Sequence, residues 1–353
     1  MSYLDSFTFK SQVTLKNKVI LAPMTVQMSF HNGDVTMDEL AYYRQRSGDI
    51  GAVITGAANV SSLGKGWEGE VSAESDEHLD SLKSLAKAIQ VDGTKAIIQL
   101  FHAGRMTNSK VLRERQPVSA SAIAALRDKS QVPRALSEDE ILEVIEDFKE
   151  AVVRSYEAGF DGVELHGANT YLIQQFFSPH SNRRSDQWGG SLENRYRFIN
   201  ILVDSVLRIR ESFERPFVIG YRFSPEEFEN PGITLKDTLY LVSKLADKDL
   251  DYLHISLNDY DRISISDTYQ DHSILYYIYK EINGRLPLIG VGNVKGKKDL
   301  EAVLENADLV AVGSALLADP KWFEKVRSDK EELINKEITK DNLKELNLQR
   351  FLL

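Results

Sequence analysis

Short apolar runs rich in β-branched residues recur along the chain, and longer segments with helical spacing separate them. The runs cover 18–24, 51–60, 95–103, 161–168, 216–224, 251–258, 286–293 and 308–317, eight in all. Between two of them, in 76–93, Leu79, Leu82, Leu85, Ala86 and Ile89 fall on one face of a helix. Segment 137–159 opens with Ser137 three residues before Glu140, a capping box, and Gly159 supplies its stop. Near-continuous apolar strands alternating with helices mean parallel strands covered on both faces. Eight such units predict an α/β fold of the closed (β/α)₈ TIM-barrel type, usually about 250 residues plus insertions. An open doubly wound sheet is the rival arrangement, and eight regular units without a break favour closure. The pattern places insertions at 101–137 and 258–270. Residues 1–17, with Phe7, Phe9, Val13 and Leu15, read as a hairpin closing the barrel's lower end. Residues 1–327 then form one barrel domain, and 328–353 a charged helical extension packed outside it.

Composition narrows the function. With 43 basic against 53 acidic residues the net charge is −10, which argues against a nucleic-acid binder, since that would need a basic stripe. No apolar run approaches the roughly 20 residues of a spanning helix, and the first residues lack a signal-peptide pattern, so a cytoplasmic protein without a membrane partner is expected. Cysteine is absent, which removes disulfides, thiolate catalysis and iron–sulfur clusters. Small-molecule substrates are the expected partners, and a homo-oligomer stays open.

In this fold active sites gather at the carboxyl ends of strands. The polar residues there are Thr25, Gln99, His102, His166, Asn169, Tyr171, Arg222, His254, Asn293 and Ser314. The set offers amides, hydroxyls and one Arg, with no metal-ligand spacing, and suits a neutral or anionic organic ring. Strands 7 and 8 end in GVGN and VGSALLADP, where glycines would let backbone N–H groups approach a phosphate or simply make turns. His166 and Asn169 are three apart, so on one helical turn they would share a face and could donate to one substrate oxygen. Tyr171 could supply a proton. The same residues also fit a satisfied core histidine and a packing tyrosine.

The stretch HGANTYLIQQFFSPHSNRRSDQWGGSLENRYRF (166–198) closely resembles the signature block of the Old Yellow Enzyme family of FMN-dependent ene-reductases. NKVILAPMT (17–25), IIQLFHAGR (97–105) and DLVAVGSALLADP (308–320) resemble it in the same order. The resemblance runs from about residue 5 to 327. It implies that Pro23, Met24 and Thr25 line the flavin, with the Thr25 hydroxyl on O4, and that Ala57 packs against the ring. It further implies that Gln99 bonds the pyrimidine edge, that Arg222 faces N1 and O2, and that Gly292, Asn293 and Gly313 hold the phosphate. His166 and Asn169 would clamp the substrate oxygen beside the flavin, Phe101 would shape the substrate site, and Tyr171 would donate the proton. Ser314 stands where many members carry an Arg on the phosphate, and Lys295 or backbone amides would have to compensate. In NRRSDQWGGSLENR, Asp186, Glu193 and Arg195 read as ties between a loop and a helix starting near Ser191.

The resemblance thus implies an FMN enzyme that takes hydride from NADPH or NADH and reduces the activated C=C bond of enones or nitroalkenes by a ping-pong route. A barrel lyase or aldolase would need a strand-end Lys or a metal cluster. A non-catalytic flavin or sugar-phosphate binding barrel is the reading from another class, set apart only by the His166, Asn169 and Tyr171 set.

Overall fold

Burial on both faces is what the eight apolar runs share in the computed structural model, which describes residues 2–348. The strands are β1 (Val19–Leu21), β2 (Ala52–Asn59), β3 (Lys95–Phe101) and β4 (Gly162–Gly167). They continue with β5 (Val218–Phe223), β6 (Tyr252–Ile255), β7 (Leu288–Val291) and β8 (Leu309–Val312). Each pairs in parallel with its sequence neighbour, and β8 returns to β1, where Val310 sits opposite Val19. The sheet is therefore closed, as the repeat predicts. Every residue of β2 and of β4 is buried, which removes the alternation a half-exposed strand would show.

Helices cover the barrel where the periodicity places them. Leu79–Ile89 buries Leu82, Leu85, Ala86 and Ile89, flanked by single 3₁₀ turns at Asp76–His78 and Val91–Gly93. Glu138–Glu157 starts on the Ser137–Glu140 capping box and ends before Gly159, whose φ of +89° suits the left-handed stop. Phe7–Thr8 and Thr14–Leu15 pair antiparallel as the expected hairpin. It is anchored at the barrel's amino-terminal end, where the Ser11 amide donates to Asp251 at 2.8 Å and Phe9 packs on Tyr252. The insertion after β3 folds on itself through a two-residue parallel pair, Val118–Ser119 with Arg134–Ala135.

The tail corrects the expectation. From 328 to 348 it has one 3₁₀ turn, Glu331–Leu333, followed by irregular turns, and no α-helix among the described residues. Tertiary hydrogen bonds override its helical composition. Asp319 accepts the Asn335 amide at 2.8 Å, and Lys325 Nζ donates to the Leu333 carbonyl at 2.9 Å. The segment does pack on the barrel, burying Leu346 and Leu348. Arg46, almost fully buried, donates to the carbonyls of Leu316, Leu317 and Leu346. Residues 349–353 of the expected extension lie outside the described residues.

Candidate active site

Strand register brings the polar strand-end residues into two layers inside the barrel. In the lower one Ala57 stands opposite Gln99, and Gln99 opposite Glu164. In the upper one His166 stands opposite Arg222, and Arg222 opposite His254. Arg222 is buried, its Nε without a partner among the described residues, and His166 Nδ1 and His254 Nε2 are likewise unpaired. Burial, helped by Arg222 and His254, holds the His166 pKa well below the usual value, so the ring is neutral at pH 7.

β1 and β2 meet through Gly56, where an added Cβ would lie 2.7 Å from the Met24 carbonyl oxygen. That approach lets the Ala57 amide donate to Thr25 Oγ1 at 3.3 Å, leaving the hydroxyl proton free to be given elsewhere. Gln99 donates its Nε2 to Glu164 at 2.6 Å, which leaves Oε1 as its free acceptor.

Above these layers sits an aromatic cluster. Tyr171 meets Phe101 and His166 edge-on, each at 5.0 Å between centroids, and Trp67 lies 5.4 Å from Phe101. Burial raises the Tyr171 pKa to about 12, so its proton is retained across the working pH range. A cleft of about 490 Å³ opens beside Tyr171, lined by Gln27, Trp67, Met106, Asn108 and Arg127. His102 belongs elsewhere. Its Nδ1 accepts from the Gly104 amide, and its ring supports the loop at Gly64.

His166 and Asn169 do not share a helical face, contrary to the spacing argument. His166 is in β4, whereas Asn169 and Thr170 both have positive φ, and the next helix, Leu172–Phe177, begins after Tyr171 as its N-cap. The Asn169 side chain accepts from Ser256 at 2.9 Å, and its backbone amide donates to Ser224 at 2.9 Å. The turn, not a helix, sets its place. Around Ser191, the N-cap of Leu192–Arg210, Asp186 takes Arg184 and the Trp188 amide, and Arg195 takes the Phe177 and Gly190 carbonyls. Arg195 thus makes the loop-to-helix tie the sequence suggested, whereas Asp186 ties the loop to itself.

A larger cavity of about 1000 Å³ runs from Pro23, Met24 and Arg222 to the β7 and β8 loops. At Gly292, φ is +130° and a Cβ would lie 2.7 Å from the Asp259–Tyr260 backbone. At Gly313 an added Cβ would meet Met24 at 3.5 Å, an ordinary contact, and Asn293 and Ser314 complete that end. Asp299 takes the amides of Lys295 and Gly296, and Glu331 takes that of Lys297, so these amides are already occupied. Lys295, Lys298 and the tail's Lys336 line the same end. Sequence reasoning missed Trp67, Glu164 and Lys336. Glu164, a charge inside an apolar run, was the one visible signal.

A cavity with unpaired buried polar atoms at His166, Arg222 and His254, glycine turns at one end and an aromatic cluster at the other fits FMN, and defines a flavin-binding parallel barrel. The chain belongs to the NADH:flavin oxidoreductase / NADH oxidase family, whose model matches residues 5–332, and this is the Old Yellow Enzyme class. It is 45% identical over 332 residues to an NADH:acrylate oxidoreductase of Vibrio harveyi, covering 92% of this chain. The chain spans only 33% of that relative's length. It is 42% identical to the "Probable NADH-dependent flavin oxidoreductase YqiG" of Bacillus subtilis, covering 94% of this chain and 89% of the relative. The solved old yellow enzyme homologue from Zymomonas mobilis superposes with a TM-score of 0.84 at 25% identity over 100% of both chains. Family membership implies FMN as resident cofactor and a nicotinamide as reductant. Among the described residues no cluster could hold a metal ion, and no helix is long and apolar enough to cross a membrane.

Proposed function

We propose that the protein is an FMN-dependent reductase that consumes NADPH or NADH and saturates the activated C=C bond of enones and nitroalkenes in a ping-pong cycle. The observation that carries this is the neutral, buried His166, in the same row as Arg222 and packed against the proton-bearing Tyr171. FMN, when bound, supplies hydride acceptance and donation. Thr25 and Gln99 hold the ring by one donor and one acceptor, Pro23, Met24 and Ala57 pack against it, and Arg222 places positive charge at the pyrimidine edge. Gly292, Asn293, Gly313 and Ser314 receive the phosphate. His166 and Asn169 hold the substrate oxygen without adding charge, Phe101 shapes its seat, and Tyr171 protonates the α-carbon.

The test is anaerobic. NADH should bleach the yellow protein, and cyclohexenone should restore the colour. No bleaching with either NADH or NADPH would sink the reading. Bleaching reversed by a one-electron acceptor but not by cyclohexenone would favour a second reading, in which the barrel oxidises NADH and passes electrons to a site elsewhere. That reading draws on the Vibrio harveyi relative, two thirds of which lies beyond the matched region.

We assign to Lys336, which lines that end of the cavity with Lys295 and Lys298, the place of the missing Arg at the phosphate. Lys336→Ala should weaken FMN binding to the apoprotein by about two- to fivefold, the worth of one exposed charge contact, and less at high salt. Riboflavin, which lacks the phosphate, should bind both proteins equally by fluorescence quenching.

A further inference from the structure

Glu164 is a buried charge that the proposed chemistry does not use. Its side chain is 0% exposed, in the middle of β4, and both oxygens are engaged. Oε1 accepts from Gln99 at 2.6 Å, and Oε2 accepts from Tyr252 at 3.0 Å and His254 Nδ1 at 2.8 Å. Gly220 makes the Tyr252 contact possible, since a Cβ there would lie 2.0 Å from the tyrosine ring. Burial alone would raise the Glu164 pKa, yet His254, Arg222 and Gln99 together hold it below the ordinary value. Burial keeps His254 neutral, so it donates to the carboxylate without cancelling its charge. Glu164 and Arg222 are thus opposite charges in one dry interior.

We infer that Glu164 is a positioning residue with two effects on the flavin: it fixes which end of the Gln99 amide is offered, and it offsets the positive field of Arg222. This rests on the reading that Gln99 and Arg222 face the pyrimidine edge. With Nε2 committed to Glu164, Gln99 presents Oε1 as an acceptor. With the carboxylate ionised, the net charge beneath the ring is close to zero rather than positive. Both effects hold the midpoint potential of the bound flavin down. A carboxylate this well supplied with donors is stable where it is, whereas an uncompensated Arg222 would favour added electrons.

Glu164→Gln removes the charge and turns its own amide against that of Gln99. The equilibrium constant for two-electron reduction of the bound flavin should rise about tenfold, roughly 30 mV more positive for a two-electron couple. Glu164→Asp keeps the charge and should stay near the wild-type potential, which a purely packing role would not predict. Arg222→Gln, the control, should move the potential the other way. If Arg222→Gln leaves it unmoved, the placement of the flavin is wrong. If Arg222→Gln shifts it and Glu164→Gln does not, or shifts it downward, the inference is overturned. One measurement needs no variant to fold. The reduced-minus-oxidised infrared spectrum of the wild-type holoprotein should show an ionised carboxylate band that moves on ¹³C-glutamate labelling, and its absence would overturn the inference equally.

Discussion

Tyr171→Phe should separate the two halves of the catalytic cycle. Oxidation of NADH requires no proton from a side chain, so that half should proceed at nearly the wild-type rate. Reduction of an enone leaves charge on the α-carbon and the substrate oxygen, and there a positioned acid is worth about 10²–10⁴-fold. Turnover of cyclohexenone should fall by that order. The ring contacts of Tyr171 with Phe101 and His166 do not need its hydroxyl, so the variant should keep the shape of the site. Nitroalkenes yield a stabilised product anion that can wait for solvent, and they should be far less affected. Because the Tyr171 pKa is raised to about 12, the enone rate should stay flat with pH through neutrality and fall only in strong alkali, where the phenol ionises. Stopped-flow absorbance of each half-reaction decides it. Equal slowing of both halves, or of neither, would make Tyr171 a packing residue.

The eight strands and the gathering of polar residues at their carboxyl ends were legible because both follow from local rules. A buried parallel strand is an apolar run, and in a barrel the polar residue at its carboxyl end faces the site, so Gln99, His166 and Arg222 could be read directly. The pairing of His166 with Asn169 on a helical turn could not survive, because the positive φ of Asn169 and Thr170 is a property of the turn and leaves no periodic trace. Trp67 was hidden for another reason. It comes from the loop after β2 and reaches Tyr171 only through tertiary packing, with ring centroids 6.1 Å apart. The tail carries helix-forming residues, yet Asp319 and Lys325 claim its backbone groups and hold it in turns.

Asp251→Ala should destabilise the fold without touching the site. Asp251 is fully buried at the start of β6 and takes the amides of Ser11 and Ile219, both at 2.8 Å, and Arg210 at 3.0 Å. One carboxylate thereby joins the hairpin, β5 and the helix Leu192–Arg210 at the barrel's lower end. Removing it leaves the Ser11 amide and the buried Ile219 amide without their acceptor, while Arg210 keeps Asp249, a loss of about 1–3 kcal/mol. The urea midpoint should fall accordingly while the flavin spectrum of the folded fraction stays the same. A midpoint within error of wild type would show that the hairpin is held by its apolar contacts alone.

The pairing of β1 with β8 has a consequence for how the protein is made. The first barrel strand leaves the ribosome early, but the partner for one of its edges is Leu309–Val312, almost the whole chain later. At about 5–20 residues per second, that edge of Val19–Leu21 stays open for on the order of 15–60 s. During this time its unpaired backbone groups can pair with a neighbouring nascent chain on the same polysome. Yield in the cell should therefore depend on translation speed and on chaperones that shield strand edges, even for sequence changes that leave the finished barrel equally stable.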